Sequence, residues 1–172
     1  MDLQHGRLTI RDALPADAPQ LVRWWNDGAV MAHAGFPLGL GTTAEKEAAR
    51  LPAPGRLMLE YDDRPIGEMN WRDVGNAAEI GIKICEASMQ ERGLGRIALS
   101  LLIRELFSMG FQKIVLDTNL NNTRAQHVYE KLGFQKVAVR QNSWRDQLGN
   151  LQSAVDYELN SENFVDFTQK PL

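Results

Sequence analysis

The stretch Gln90–Ile103, QERGLGRIALSLLI, places two glycines directly before a long apolar run with helical periodicity. Glycine costs about 1 kcal/mol relative to alanine inside a helix, so Gly93 and Gly95 at a helix start require a reason. Both allow the backbone to close tightly around a ligand, with the free N–H groups of the first helical turn pointing at it. Such groups bind anions. The stretch therefore predicts an anion-binding turn.

The length and net charge of the chain limit the classes of protein to which it can belong. The chain has 172 residues and a formal net charge of −3, with acids and bases interspersed. We expect one domain, residues 1–172, large enough to bury a single core. Because no block of basic residues is present, nucleic acid is not an expected partner.

Cysteines, histidines and apolar runs exclude further classes. Cys85 is the only cysteine, and the N-terminus lacks the pattern of a signal peptide, so we expect a cytoplasmic protein. The three histidines, His5, His33 and His127, lie at no metal-ligand spacing, so no metal site is expected. No run is long enough for a membrane span, so no membrane partner is expected.

Hydrophobic periodicity predicts alternating strands and helices. The predicted strands are Arg7–Ala13, Arg56–Val74 as two strands around a turn at Asp62-Asp63, Ala78–Ile84, Lys113–Asn119, Phe134–Arg140 and Ser153–Leu159. The predicted helices are Asp17–Asp27, Val30–Ala34, Ala44–Leu51, Leu94–Met109 and Asn122–Gly133. A polar loop is predicted over Gln141–Asn150.

The glycine turn alone has three interpretations. A dinucleotide fingerprint, G-x-G-x-x-G, tolerates Ala98 in the third position but belongs near the first strand of a doubly wound unit, whereas this turn lies in mid-chain. A P-loop is excluded because no Gly-Lys-Ser/Thr follows. A simple turn without a ligand remains open.

Two motifs together favour one interpretation. Gln90–Gly95, QERGLG, and Asn122–Phe134, NTRAQHVYEKLGF, resemble in order and spacing the two signature motifs of the GNAT acetyltransferase superfamily. The resemblance is close from residue 78 to residue 134. It implies an α/β fold in which a mixed, mostly antiparallel sheet splays open between two central parallel strands, EIGIKI and KIVLD, flanked by helices.

The resemblance also implies that acetyl-CoA, the acetyl donor, lies in that gap. Its pyrophosphate would rest on the backbone amides of residues 92–96, and its pantetheine arm would pair with the backbone around Ile82 and Ile84. The implied cofactor-binding residues are Ile82, Ile84, Gln90, Arg92, Gly93, Leu94, Gly95, Arg96, Asn122, Arg124 and Tyr129.

Acetyl transfer to an amine needs a base for the amine and a proton donor for the departing thiolate. The resemblance assigns the donor role to Tyr129, which follows Asn122 by seven residues. Glu79 is the leading base candidate because it precedes Gly93 in the sequence by the same number of residues as the catalytic glutamate of the histone-acetylating members of the superfamily. Asp117 is the second candidate and Glu68 the third.

The acceptor is open at this stage: a primary amine on a small molecule or at a protein N-terminus. The chain ends look similar to a branch with ribosomal-protein N-terminal, polyamine and aminoglycoside acetyltransferases. That branch would build the acceptor site from Trp24–Phe36 and the loop Gln141–Asn150, and a homodimer is compatible with it. The expected reaction is direct transfer, because no histidine lies near Cys85 in sequence. The alternative is a non-catalytic acyl-CoA-binding or interaction domain with the same fold.

Overall fold

A single mixed sheet organises the chain. The structure, a computed structural model, describes residues 1–169, so the last three residues of the predicted domain lie outside the described residues. The strands are β1 Asp2–His5, β2 Leu8–Asp12, β3 Arg56–Tyr61, β4 Arg64–Asp73, β5 Ala78–Ile84, β6 Lys113–Asn119, β7 Gln135–Arg145 and β8 Leu151–Asn160. The helices are α1 Ala18–Trp25, α2 Gly28–Met31, α3 Ala44–Ala48, α4 Leu94–Ser108 and α5 Thr123–Lys131.

The sheet opens in its middle. Its strand order is β1-β2-β3-β4-β5-β6-β8-β7, and β5 with β6 is the parallel pair among antiparallel neighbours. These two strands pair only at Ala78 with Ile114 and at Glu79 with Val115, and beyond those residues they diverge. The predicted splayed sheet is therefore confirmed.

The two faces of the sheet carry separate apolar clusters. On one face α4 packs against β2 to β6 and buries the main core, which includes Ile80, Leu102 and Leu116. On the other face α1 covers a smaller cluster that includes Trp25 and Met31. Helices therefore cover both faces of the sheet.

Turns follow the local signals. Asp62 and Asp63 have φ of 51° and 61°, the left-handed values of a two-residue hairpin turn, as the alternation on both sides predicts. The Val30–Ala34 prediction corresponds to α2 followed by a 3₁₀ turn at Ala32–Ala34.

Two regions differ from the sequence prediction. Strand β1 is not predicted, since its four residues carry little apolar alternation; it pairs with β2 through a tight turn at Gly6. The predicted loop Gln141–Asn150 is wrong in its first half, because β7 continues to Arg145. The pairing of β7 with β8 shifts register between Arg140 and Trp144, so a polar, irregular stretch still forms ladder hydrogen bonds.

Candidate functional site

The glycine turn leads into α4 without a side-chain cap. Glu91 and Gly93 both have left-handed backbones, with φ of 58° and 75°, and Gly93 is the residue that precedes the helix. Within residues 1–169 no side chain accepts a hydrogen bond from the first turn of α4. The first N–H groups and the positive end of the helix dipole are thus available to an anion, as the sequence predicts.

Gly95 faces open space. A Cβ built on it would meet only the Ile84 Cδ1 atom, at 3.7 Å, which is an ordinary contact. Leu94, the first residue of the helix, instead points into the core and is buried. The protein itself therefore does not require glycine at position 95, and a close ligand gives a reason for it.

Two arginines surround this helix start. The Arg92 guanidinium lies 5.5 Å from the Tyr61 ring centre, and the Arg96 guanidinium lies 4.9 Å from the Phe167 ring centre. Neither forms an ion pair with a carboxylate of residues 1–169. Both positive charges are therefore available to a phosphate group.

Gln90 and Arg124 connect the turn to its neighbours. The Gln90 amide nitrogen donates to the Ile84 carbonyl at 2.9 Å, and Arg124 donates to the Gln90 side-chain oxygen at 3.2 Å. Arg124 also forms a 3.0 Å ion pair with Glu91. The carbonyl of Ile84 is thus already bound, whereas no strand of residues 1–169 pairs with the β6 side of β5 at Ile82.

Tyr129 is placed by the cap of its helix. The Asn122 side chain accepts a hydrogen bond from the Ala125 N–H at 3.2 Å and so begins α5, as predicted. Tyr129 is buried, with its ring edge-on to Phe134 at 5.9 Å and to Tyr157 at 5.8 Å. Burial, with a smaller contribution from the Asp117 charge, raises the pKa of the Tyr129 phenol, so it stays protonated at neutral pH.

Glu79 lies at the closed end of the opening. It belongs to the last residue pair that joins β5 to β6, and it shares a face with Gly81 and Lys83, away from α4. Its carboxylate forms a 2.8 Å ion pair with Arg72 on β4. The side chain is 39% exposed, so water reaches it.

Asp117 and Glu68 have contrasting surroundings. Asp117 is exposed and is bound by the Arg140 guanidinium at 2.9 Å, which also binds Asp156. Glu68 is buried, and its Oε2 atom accepts a hydrogen bond of 2.8 Å from the Trp25 indole N–H. Of the three acidic candidates, only Glu68 is a buried carboxylate.

Cys85 is a poor nucleophile. Its thiol is buried, and desolvation together with the negative charge of Glu68 raises its pKa to about 12. Since the thiolate is the nucleophilic form, this environment agrees with direct transfer.

The two segments predicted to build the acceptor site, Trp24–Phe36 and the loop Gln141–Asn150, are in contact. Gln147, in the turn between β7 and β8, binds the loop after α2 through its own N–H to the Gly35 carbonyl, at 2.8 Å. Its side chain accepts from the Leu38 N–H and donates to the Gly39 carbonyl, each at 2.9 Å. Trp144 packs against Gly35, where a Cβ would lie 2.5 Å from the ring. The two segments thus form one rim.

Other polar and aromatic residues have structural roles. Asp27, Asp73 and Asp146 accept backbone hydrogen bonds in a helix cap and two turns. Trp71 packs against the main core, edge-on to Phe111, on the same sheet face as α4.

Sequence reasoning missed Trp25 as a partner of Glu68, Gln147 as the residue that closes the rim, and Arg140 beside Asp117. Each acts through a contact between distant parts of the chain, for which the sequence carries no local signal. Among residues 1–169, no group of three or more potential metal ligands comes together, and no helix is long and apolar enough to cross a membrane.

Comparison with known proteins identifies the family. A model described as an acetyltransferase (GNAT) domain matches residues 7–135. The chain therefore belongs to the GNAT acetyltransferase family, and the resemblance inferred from the two motifs is confirmed.

Individual relatives add detail. The ribosomal protein bS18-alanine N-acetyltransferase of Salmonella typhimurium is 32% identical over 94 residues, which are 55% of this chain and 64% of that protein. The matched region thus spans somewhat less than two thirds of that relative.

Two solved structures share the fold. A GNAT-family acetyltransferase from Bacillus anthracis gives a TM-score of 0.82 at 18% identity, covering 94% of this chain and 99% of that chain. RimL, a ribosomal L7/L12 alpha-N-protein acetyltransferase in complex with coenzyme A, gives a TM-score of 0.79 at 15% identity, covering 93% and 98%.

Proposed function

We propose that the protein transfers the acetyl group of acetyl-CoA to a primary amine by direct attack, without a covalent enzyme intermediate. The observation that carries the proposal is the opening between β5 and β6 directly beside the uncapped start of α4. An acyl-CoA needs both an anion site and an exposed strand edge, and family membership and the coenzyme A bound to RimL support this ligand.

The residues of the glycine turn fit the diphosphate. The N–H groups of residues 93–96 and the charges of Arg92 and Arg96 would hold it, and the open space at Gly95 leaves room for close approach. The amides of the pantetheine arm would pair with β5 at Ile82. At Ile84 the carbonyl is already bound by Gln90, so pairing there requires the Gln90 side chain to move. When bound, acetyl-CoA supplies an activated thioester carbonyl.

Tyr129 would donate a hydrogen bond to the departing sulfur. A phenol has an ordinary pKa of about 10 and a thiol one of about 8.5, so the geometry must favour the transfer. Because burial raises the pKa of Tyr129 further, the phenol stays protonated and stabilises the negative charge that develops on the sulfur chiefly as a hydrogen-bond donor. Asn122 and Arg124 flank the start of the same helix and would line the pantetheine channel.

The base must take a proton from the acceptor ammonium before attack. Glu79 is our first assignment, acting through water, because its carboxylate is partly exposed beside the opening. Its ion pair with Arg72 occupies one oxygen and leaves the other for a proton. Asp117 is the second assignment for the base. Its ion pair with Arg140 likewise occupies one of its two oxygens.

The acceptor class includes protein N-termini, since the Salmonella relative is named for an alanine of a ribosomal protein. The same relative favours a cytoplasmic location. A homodimer and a single domain over residues 1–172 stay predictions.

The direct test is a thiol-release assay with acetyl-CoA and a panel of acceptors: small primary amines, polyamines and short peptides with free N-termini. We expect acceptor-dependent release of coenzyme A for at least one class. Acetyl-CoA binding without turnover of any primary amine would instead favour the non-catalytic alternative.

A further inference from the structure

Glu68 is a carboxylate with unused hydrogen-bonding capacity inside the protein. Its residue is only 7% exposed, yet an ionised carboxylate has about four lone-pair positions. The Trp25 indole occupies one of them, on Oε2. Within residues 1–169 no other protein group donates to Glu68; its Oε1 atom is not fully buried, so water or a ligand can reach it.

Two positively charged side chains on neighbouring strands lie near Glu68, but neither forms an ion pair with it. Lys83 lies opposite Glu68 in the pairing of β4 with β5, but its Nζ atom is 3.1 Å from the Met31 sulfur and forms no ion pair with Glu68. Arg56 stacks on the Trp25 ring at 5.2 Å rather than binding the carboxylate. Within residues 1–169 Glu68 therefore pairs with no cation, and a positively charged group that reaches it would form an ion pair in a largely buried site.

The position of Glu68 connects it to the opening. It lies one strand from the β5 edge at Ile82 and Ile84, on the sheet face opposite α4. The 3₁₀ turn Ala32–Ala34, which follows Met31, contacts β6 on the far side of the opening. Glu68 therefore lies beneath α1 and close to the turn Ala32–Ala34, on the sheet face that these segments cover.

We propose that the Glu68 carboxylate, held in place by the Trp25 indole, binds an ammonium group of the acceptor. This inference rests on the proposed function and adds the residue that selects cationic acceptors. The ammonium is either the group to be acetylated or a second positive group of the same acceptor. In both cases Glu68 contributes to acceptor affinity, whereas the proton transfers remain with Glu79 and Tyr129.

The variant Glu68→Gln separates charge from packing. A glutamine has nearly the same volume, and its side-chain oxygen still accepts the Trp25 N–H bond, so the structure is kept while the negative charge is lost. Glu60→Gln is the matched control, because Glu60 is a half-buried glutamate on the neighbouring strand β3 that binds Arg11 instead.

The probes are n-butylamine, 1,4-diaminobutane and alanyl-alanine amide, each titrated calorimetrically with and without coenzyme A. We expect at least one probe to bind the wild type and to lose tenfold or more in affinity in Glu68→Gln, but not in Glu60→Gln. Loss for the single-amine probes assigns Glu68 to the reacting amine, and loss for the diamine alone assigns it to a second charge. Equal affinities in wild type and Glu68→Gln, or no binding of any probe to the wild type, would overturn the proposal.

A measurement on the unaltered protein covers the case in which Glu68→Gln does not fold. The Trp25 indole N–H signal in an NMR spectrum, assigned with Trp25→Phe, should shift on addition of a binding probe because it shares the carboxylate with the ammonium. An unshifted Trp25 signal at probe saturation contradicts the proposal. Failure of acetyl-CoA to bind would instead count against the proposed function. The titrations without coenzyme A measure acceptor binding at Glu68 independently of the cofactor.

Discussion

The two sides of the sheet opening are built in different ways. On the α4 side, the proposed anion site comes from seven consecutive residues, Gln90–Arg96, and a helix start. On the α1 side, the contacts that shape the site join residues far apart in sequence: Trp25 with Glu68, 43 positions away, and Leu38 with Gln147, 109 positions away.

This difference explains why one side of the molecule is recognisable from sequence and the other is not. A backbone anion site needs glycines and a helix at fixed spacing, so any sequence that uses it carries the same short signature. A side-chain pocket depends on pairs of residues that tertiary folding brings together. Variants on the two sides should therefore alter different kinetic parameters.

The largest effect is expected for Tyr129→Phe. Loss of the phenol proton should lower kcat by about 100-fold, with little change in KM for acetyl-CoA, because the hydrogen bond strengthens mainly in the transition state. Steady-state kinetics test this. Tyr157→Phe is the control: that hydroxyl is buried and has no hydrogen-bond partner among residues 1–169, so its removal should leave kcat unchanged. Wild-type turnover in Tyr129→Phe would remove Tyr129 from the mechanism.

The next effect concerns Glu79→Gln. We expect kcat to fall about tenfold at neutral pH and to recover partly as pH rises, because the free amine then becomes abundant. The ordinary pKa is about 8 for an α-amino group and about 10.4 for a lysine-like amine, so the recovery also reports the acceptor class.

A pH–rate profile that overlays the wild type would reject Glu79 as the base. The same profile for Asp117→Asn would then test the second assignment.

A smaller effect is expected at the acceptor rim. Gln147→Ala removes two side-chain hydrogen bonds to the loop at Leu38 and Gly39. We expect KM for the acceptor to rise severalfold and the affinity for acetyl-CoA to stay constant, since the rim lies away from α4. Gln112→Ala, an exposed change just before β6, serves as the control. Equal changes in both substrates would contradict the division into two sides.

The smallest effect is on stability. Asp17, just before α1, accepts two 2.8 Å hydrogen bonds from Arg11, and this contact lowers the pKa of the Asp17 carboxyl. Its stabilisation is present above its ordinary pKa, near 3.8, and is lost as pH falls through the lower folded value. Asp17→Asn should therefore lower the free energy of unfolding by about 1 kcal/mol at pH 7. Urea unfolding at pH 7 and pH 3 measures it, and the difference should shrink at pH 3.

The sequence alone was sufficient for features that depend on local chemistry. The start of α4 at Leu94, the cap of α5 at Asn122 and the turn at Asp62-Asp63 follow from glycine, side-chain capping and two-residue hairpin rules. The divergence of β5 and β6 followed from the family resemblance rather than from either strand.

Other features could not be read from local patterns. Strand β1 and the outer half of β7 are polar edge strands held by backbone pairing, so they lack the alternation that marks a half-buried strand. The burial of Glu68 and the pairing of Asp117 with Arg140 depend on which strands become neighbours. Position in a motif suggested these acids as bases, but only the fold distinguishes their environments.

The central claim, that acetyl-CoA binds the backbone turn at the start of α4, is tested most directly by calorimetric titration of acetyl-CoA into wild type, Gly95→Ala and Gly95→Val. A Cβ at position 95 makes only an ordinary contact with Ile84, so both variants should fold, with melting temperatures close to the wild type. The account predicts one binding site in the wild type, weaker binding in Gly95→Ala and at least a tenfold loss in Gly95→Val. Unchanged affinity in a folded Gly95→Val protein would contradict it.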